Sequence, residues 1–181
     1  MKINQNTYRR LKTLEFNLNE IDLAYNDLLK DYVLEVGIEY DTTYPDNKET
    51  HLLFKKAKDL YQLRKDKLFS AVFSFTQTFY SLKEYLIAQS PEKEVTIENF
   101  FSNEKKNSIS RKSISNDLKH NPSEDLKFDA RVVKTEIIKE PGKETHISYM
   151  RHSWFYGKIE TVEYCRELYN ELLDFMKQTF T

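Results

Sequence analysis

Apolar residues recur three and four positions apart from Leu11 through Leu14, Leu18, Ile21, Tyr25, Leu28 and Tyr32. Such a stripe covers one side of a 3.6-residue spiral and predicts an amphipathic helix over about 5–34. Gly37 and the run from Asp41 to Asn47, with Pro45 inside it, read as a loop. No Gly or Pro then occurs before Pro91, so one long helix, or two nearly continuous ones, is predicted over 48–89. Within it Leu68, Val72, Phe75, Phe79, Leu82 and Leu86 form one stripe, and Phe69, Phe73, Tyr80 and Ile87 form a second beside it. A segment apolar around so much of its circumference is expected to be the central helix of a bundle. Its rings could stack nucleic-acid bases, but so much apolar area left in water is unfavourable, and packing is the reading adopted.

Beyond Pro91 the elements shorten. Val95 to Phe101 predicts a short helix that turns Ile97, Phe100 and Phe101 inward. After a Ser/Lys/Asn-rich break, a weakly apolar helix over about 108–120 relies on Ile109, Ile114 and Leu118. The β-branched residues Val132, Val133, Thr135, Ile137 and Ile138, and then Ile147 and Tyr149, flank Pro141-Gly142, which predicts a β-hairpin over about 128–154. Past Gly157, a closing amphipathic helix is marked by Ile159, Val162, Cys165, Tyr169, Leu172 and Met176. The expected fold is mainly α, a helical bundle with an inserted β-hairpin.

Composition changes this picture little. The 181 residues suit one domain with a core of its own, and three glycines with four prolines leave few points at which helices must end. The formal charge of −1 gives no overall argument for nucleic acid, but residues 102–158 hold 12 Lys and Arg against 8 Asp and Glu, and the remainder of the chain carries the compensating negative charge. A local basic surface is one reading of that asymmetry, and solvated loop charges are the other. The single cysteine, Cys165, cannot form an internal disulfide and is expected to be a reduced, buried thiol. The N-terminal residues lack an apolar signal core, and the most apolar run, 68–86, is broken by polar and charged side chains. The expectation is a cytoplasmic protein without a membrane association.

Candidate chemistry concentrates in Ser113-Ile-Ser-Asn-Asp-Leu-Lys-His-Asn-Pro122. Asn116 and His120, four residues apart, share one face of the predicted helix just before the proline that stops it. The order of long helix, aromatic central helix, short helix carrying Asn116 and His120, hairpin and final helix resembles the HEPN-like proteins over about residues 50–180. Membership would imply a single HEPN-like helical domain, 1–181, acting on or binding RNA in a bacterial stress or phage-defence system, in some relatives as a metal-independent ribonuclease. His120 matches the family histidine, which moves a proton on or off the ribose or leaving oxygen. Ser113, Ile114 and Ser115 stand where the family's arginine is found, and Arg111, nine residues before His120, lies on the opposite face of a continuous helix. The cation that offsets charge developing on the phosphate is then Arg111, if the helix breaks or a second subunit supplies it, or else Lys119 or Lys112 in its place. The structural alternative makes His120 a capping or hydrogen-bonded residue and Asn116 a local bonding partner.

A second segment, Met150-Arg-His-Ser-Trp-Phe-Tyr-Gly-Lys158, interleaves Arg151, His152 and Lys158 with Trp154, Phe155 and Tyr156 as RNA-clamping surfaces do. Its alternative is that Trp154 and Phe155 close the core. No metal or cofactor is expected, because His51, His146 and His152 lack ligand spacing. The resemblance also implies a homodimer paired through helices. The competing function is a non-catalytic protein–protein interaction module with a partner such as an antitoxin.

Overall fold

The computed structural model describes residues 3–27, 29–30, 48–102, 126–141 and 143–180. Helix α1 (Gln5–Asn26) begins where the Asn4 side chain accepts the Thr7 N–H at 2.8 Å, satisfying one of the donors a helix start leaves open. Leu11, Leu14, Ile21 and Tyr25 of the predicted stripe are buried. The helix stops at Asn26 rather than near 34, and Leu29–Lys30 form a strand, β1. Leu28 and Tyr32 lie outside the described residues.

Helix α2 (Lys48–Gln89) runs unbroken for 42 residues, as the absence of Gly and Pro predicts. Leu68, Val72, Phe75, Phe79, Leu82 and Leu86 are all buried, so the first stripe is the spine of the core. The second stripe is a flank: Phe69 and Ile87 only border the core, and Tyr80 is 46% exposed. Asn17, buried in the stripe of α1, donates to Thr78 Oγ1 of α2 at 3.1 Å, which removes the penalty of an unpaired amide. Pro91 opens a 3₁₀ turn (Pro91–Lys93) that leads into α3 (Glu94–Phe101), whose Ile97 and Phe101 face inward. Helix α4 (Thr161–Thr179) adds Val162, Tyr164, Cys165, Leu168, Leu172 and Met176 to the core. It is tied to α1 by Arg166, which donates to Asp22 at 2.7 Å.

The expected helical bundle with an inserted β-hairpin is corrected by the sheet. Strands β2 (Leu126–Glu140) and β3 (Lys143–Tyr156) do form the predicted antiparallel ribbon, but β1 and β4 (Ile159–Glu160) complete a four-stranded antiparallel sheet. Strand β1 pairs with β3 at Met150 and Tyr149, and β4 pairs with it at Phe155 and Tyr156, so β3 is central and β2 forms one edge. Gly157, at φ 58°, makes the tight reversal from β3 to β4. The two short strands escape sequence reading because two residues cannot display a period of two, and their pairing is a long-range property of β3.

The base of the sheet packs on the middle of α2. Trp154 is buried against Phe69, with ring centroids 5.4 Å apart, and its indole N–H points at the Lys65 carbonyl at 3.4 Å. Farther out the ribbon leaves the core. From Val132 to Glu140 no side chain is buried, and only Glu136 is half-buried.

Candidate functional site

The segment that bears the family resemblance, including Arg111, Lys112, Asn116, Lys119 and His120, lies outside the described residues. Arg151, His152 and Lys158 are described, and they do not form one surface. Successive residues of a strand point to opposite faces, so Arg151 and His152 are on different sides of β3, and Lys158 is exposed in the turn beside Gly157. Of the two aromatics expected to close the core, Trp154 does so, whereas Phe155 is half-buried on the other face.

The His152 face is aromatic. Its imidazole stacks on Phe128, centroids 5.3 Å apart and planes at 14°, and Tyr61 of α2 meets both rings edge-on. Phe128 also touches Trp154 at 5.1 Å, and the Lys65 ammonium sits 5.4 Å from the Trp154 ring. These rings mainly pack against one another, so this face fastens the ribbon to α2.

The Arg151 face is polar and holds the more unusual arrangement. Register pairs Arg131 directly with Arg151, and Asp129 with Ser153. Like charges placed opposite one another are unfavourable in an antiparallel ladder. Among the described residues neither guanidinium has a carboxylate partner. Each instead lies near an aromatic ring: Arg151 5.0 Å from the centre of Tyr25, and Arg131 6.0 Å from that of Phe155. The Glu160 carboxylate of β4 stands beside Tyr25 at the wall of the same environment. Burial first, and the neighbouring Glu160 carboxylate second, push the Tyr25 phenol above its ordinary range, so it stays protonated.

Between these groups is a cleft of about 10 Å³, room for one water. Tyr25, Arg131, Arg151 and Ser153 line it, with Asp129 and Glu160 also at its wall. Ser153 is only 3% exposed, and its hydroxyl has no hydrogen-bond partner; Arg151 Nε is likewise buried and unpartnered. Buried polar groups are nearly always bonded, which makes these two orphans on one cleft a feature to be explained.

Sequence reading found Arg151 but missed Arg131, Ser153, Asp129, Tyr25 and Glu160. Strand alternation offered a signal for Asp129 and Arg131, which share a face. Nothing in the sequence brings in Tyr25 from α1 or Glu160 from β4. Farther along the same face, Lys134 Nζ lies 2.5 Å from Glu136, which also accepts the Tyr149 hydroxyl at 2.9 Å. Among the described residues no group of three metal-binding side chains is present, and no helix is long and apolar enough to cross a membrane. Comparison with known proteins finds no matching family model, no matching curated protein and no matching solved structure, which leaves the HEPN-like resemblance resting on the sequence.

Proposed function

We propose that the chain is an interaction protein that associates with a second copy of itself through the outer part of β2. The observation that carries this reading is the open edge of that strand: among the described residues nothing pairs with its outer side, and Val132, Val133, Ile137 and Ile138 are each at least 41% exposed. An edge strand with exposed aliphatics is a template for strand addition. The bulge between Val132 and Lys134 interrupts the edge, so regular pairing begins at Lys134. Antiparallel pairing of 134–140 about a two-fold axis at Ile137 sets Ile137 on its own copy and Lys134 of each chain beside Glu140 of the other. Lys134, which pairs with Glu136 of its own strand, gains Glu140 of the other copy as a second carboxylate, and this complementarity favours a second copy.

A strand of this length spans about 24 Å, and side-by-side ribbons bury less than the roughly 800 Å² per partner of a standard interface. The dimer is therefore expected to be of micromolar rather than nanomolar affinity. Sedimentation velocity should show the mass rising from 21.7 kDa toward twice that with concentration, and Ile137→Lys should hold it at the monomer. A mass that stays monomeric up to about a millimolar, the weak end of specific affinity, would refute the reading.

RNA is the second reading, supported by the HEPN-like resemblance and by the charge on β2 and β3, which carry six Lys and Arg against four Asp and Glu. Incubation of the protein with RNA in EDTA tests it. Cleavage that persists without metal and is lost in His120→Ala supports a ribonuclease, binding alone supports an RNA-binding protein, and the absence of both cleavage and binding removes this reading.

A further inference from the structure

We infer that the cleft between Arg131, Arg151 and Ser153 is an oxyanion site that receives one oxygen of a phosphoryl group. The register sets Arg131 opposite Arg151, and among the described residues neither has a carboxylate at ion-pair distance, although Asp129 and Glu160 stand at the cleft wall. Asp129 is exposed on the rim and Glu160 half-buried at the wall, so the two carboxylates balance the arginines from the outside of the cleft rather than at its orphaned donors. Ser153 and Arg151, whose Oγ and Nε have no hydrogen-bond partner, both line a space that fits one oxygen atom, and an oxyanion is the ligand class that accepts from two such donors.

The arginines are suited to this task because they are prearranged. Tyr25 lies 5.0 Å beneath one and Phe155 6.0 Å from the other, so little side-chain freedom is lost on binding. Only one ligand oxygen enters the closed cleft, and the remaining oxygens stay on the solvent side with Arg131, which is exposed. This geometry suits a terminal or bridging phosphate in a larger molecule as well as inorganic phosphate. The inference does not depend on self-association through the ribbon, since Ser153 and Arg151 lie at the inner end of the sheet.

Titration of the whole protein with inorganic phosphate, followed through the arginine Nε–H resonances by ¹H–¹⁵N NMR, tests the inference, with sodium chloride of matched ionic strength as the reference. The Arg151 Nε–H signal should shift and saturate with phosphate but not with chloride. Ser153→Ala, which removes only the buried hydroxyl, should weaken binding about tenfold, the usual worth of a hydrogen bond to a charged group. Arg151→Lys should weaken it more, because an ammonium has no Nε–H in the fork. A parallel arm with a short oligouridylate separates the sources: the same resonance moving at lower concentration assigns the phosphate to a polynucleotide backbone, and movement with inorganic phosphate alone assigns it to a free anion. An Arg151 signal that responds equally to phosphate and chloride, or a folded Ser153→Ala protein with unchanged affinity, would overturn the site and leave the cleft to a bound water.

Discussion

Phe128→Ala tests whether the sheet and the helices are one cooperative structure. The Phe128 ring lies 5.1 Å from Trp154, 5.3 Å from His152 and 5.3 Å from Tyr61, so it joins both ribbon strands to α2. Removal of a fully buried phenylalanine costs about 3–5 kcal/mol. Phe128 is half-buried, which halves the burial contribution to about 2 kcal/mol, with ring-pair losses of about 0.5–1.5 kcal/mol each already partly contained in it. The chain has one tryptophan, and it sits at this junction, so intrinsic fluorescence reports on the base of the ribbon while far-UV circular dichroism reports on the helices. Urea unfolding of the variant should show both signals moving together to a midpoint lowered by about 2 kcal/mol divided by the unfolding slope. A change below about 0.5 kcal/mol would contradict the packing described at this junction. A fluorescence transition that separates from the helical one would instead show that the sheet unfolds as its own unit.

Gly157→Ala should destabilise the protein by about 1 kcal/mol through backbone conformation alone, because the residue sits at φ 58° and an added Cβ meets nothing within 4 Å. Gly157→Asn, which tolerates that region better, should recover part of the loss in the same thermal melt, and equal stability of all three proteins would contradict the assigned turn. The Cys165 thiol is fully buried, and burial pushes its pKa well above the ordinary 9.0. The unfolded chain therefore releases this proton first, so the contribution to stability is full below about pH 9 and declines as pH rises beyond it. Cys165 should also resist a thiol reagent in the native protein and react only at the rate of unfolding; rapid modification without unfolding would show that it is exposed.

The helical part of the fold was legible because burial follows period. One stripe in α2 contained every residue that became its spine, and α2 itself spans the stretch that Gly and Pro leave unbroken. The error in α1 has the same origin. Leu28 and Tyr32 continue the three-four spacing, but periodicity measures only compatibility with a helix, and Leu29–Lys30 gain main-chain partners from β3 instead. The second stripe of α2 fails for a different reason. The neighbours of α2 cover the first stripe and only part of the second, where Phe69 meets Trp154, so Tyr80, on the far flank, meets solvent although it continues the pattern.

The candidate site was legible only in part, because a sheet separates what a sequence motif places side by side. Arg151, His152 and Lys158 looked like one basic-aromatic patch when read along the chain, yet alternation sends the first two to opposite faces and the turn carries the third away. His152 thereby joins the rings that fasten the ribbon to α2, while Arg151 joins Arg131, which lies 20 positions earlier and becomes its neighbour only through the register of β2 and β3. A more telling signal than the density of aromatic and basic residues is the cost of that register. The ladder tolerates two arginines face to face, beside a buried serine hydroxyl without a partner, at a position where opposite charges would have stabilised it. Local violations of this kind tend to coincide with function, which is why the polar cleft, rather than the aromatic run that drew attention in the sequence, is the part of the described structure to test first.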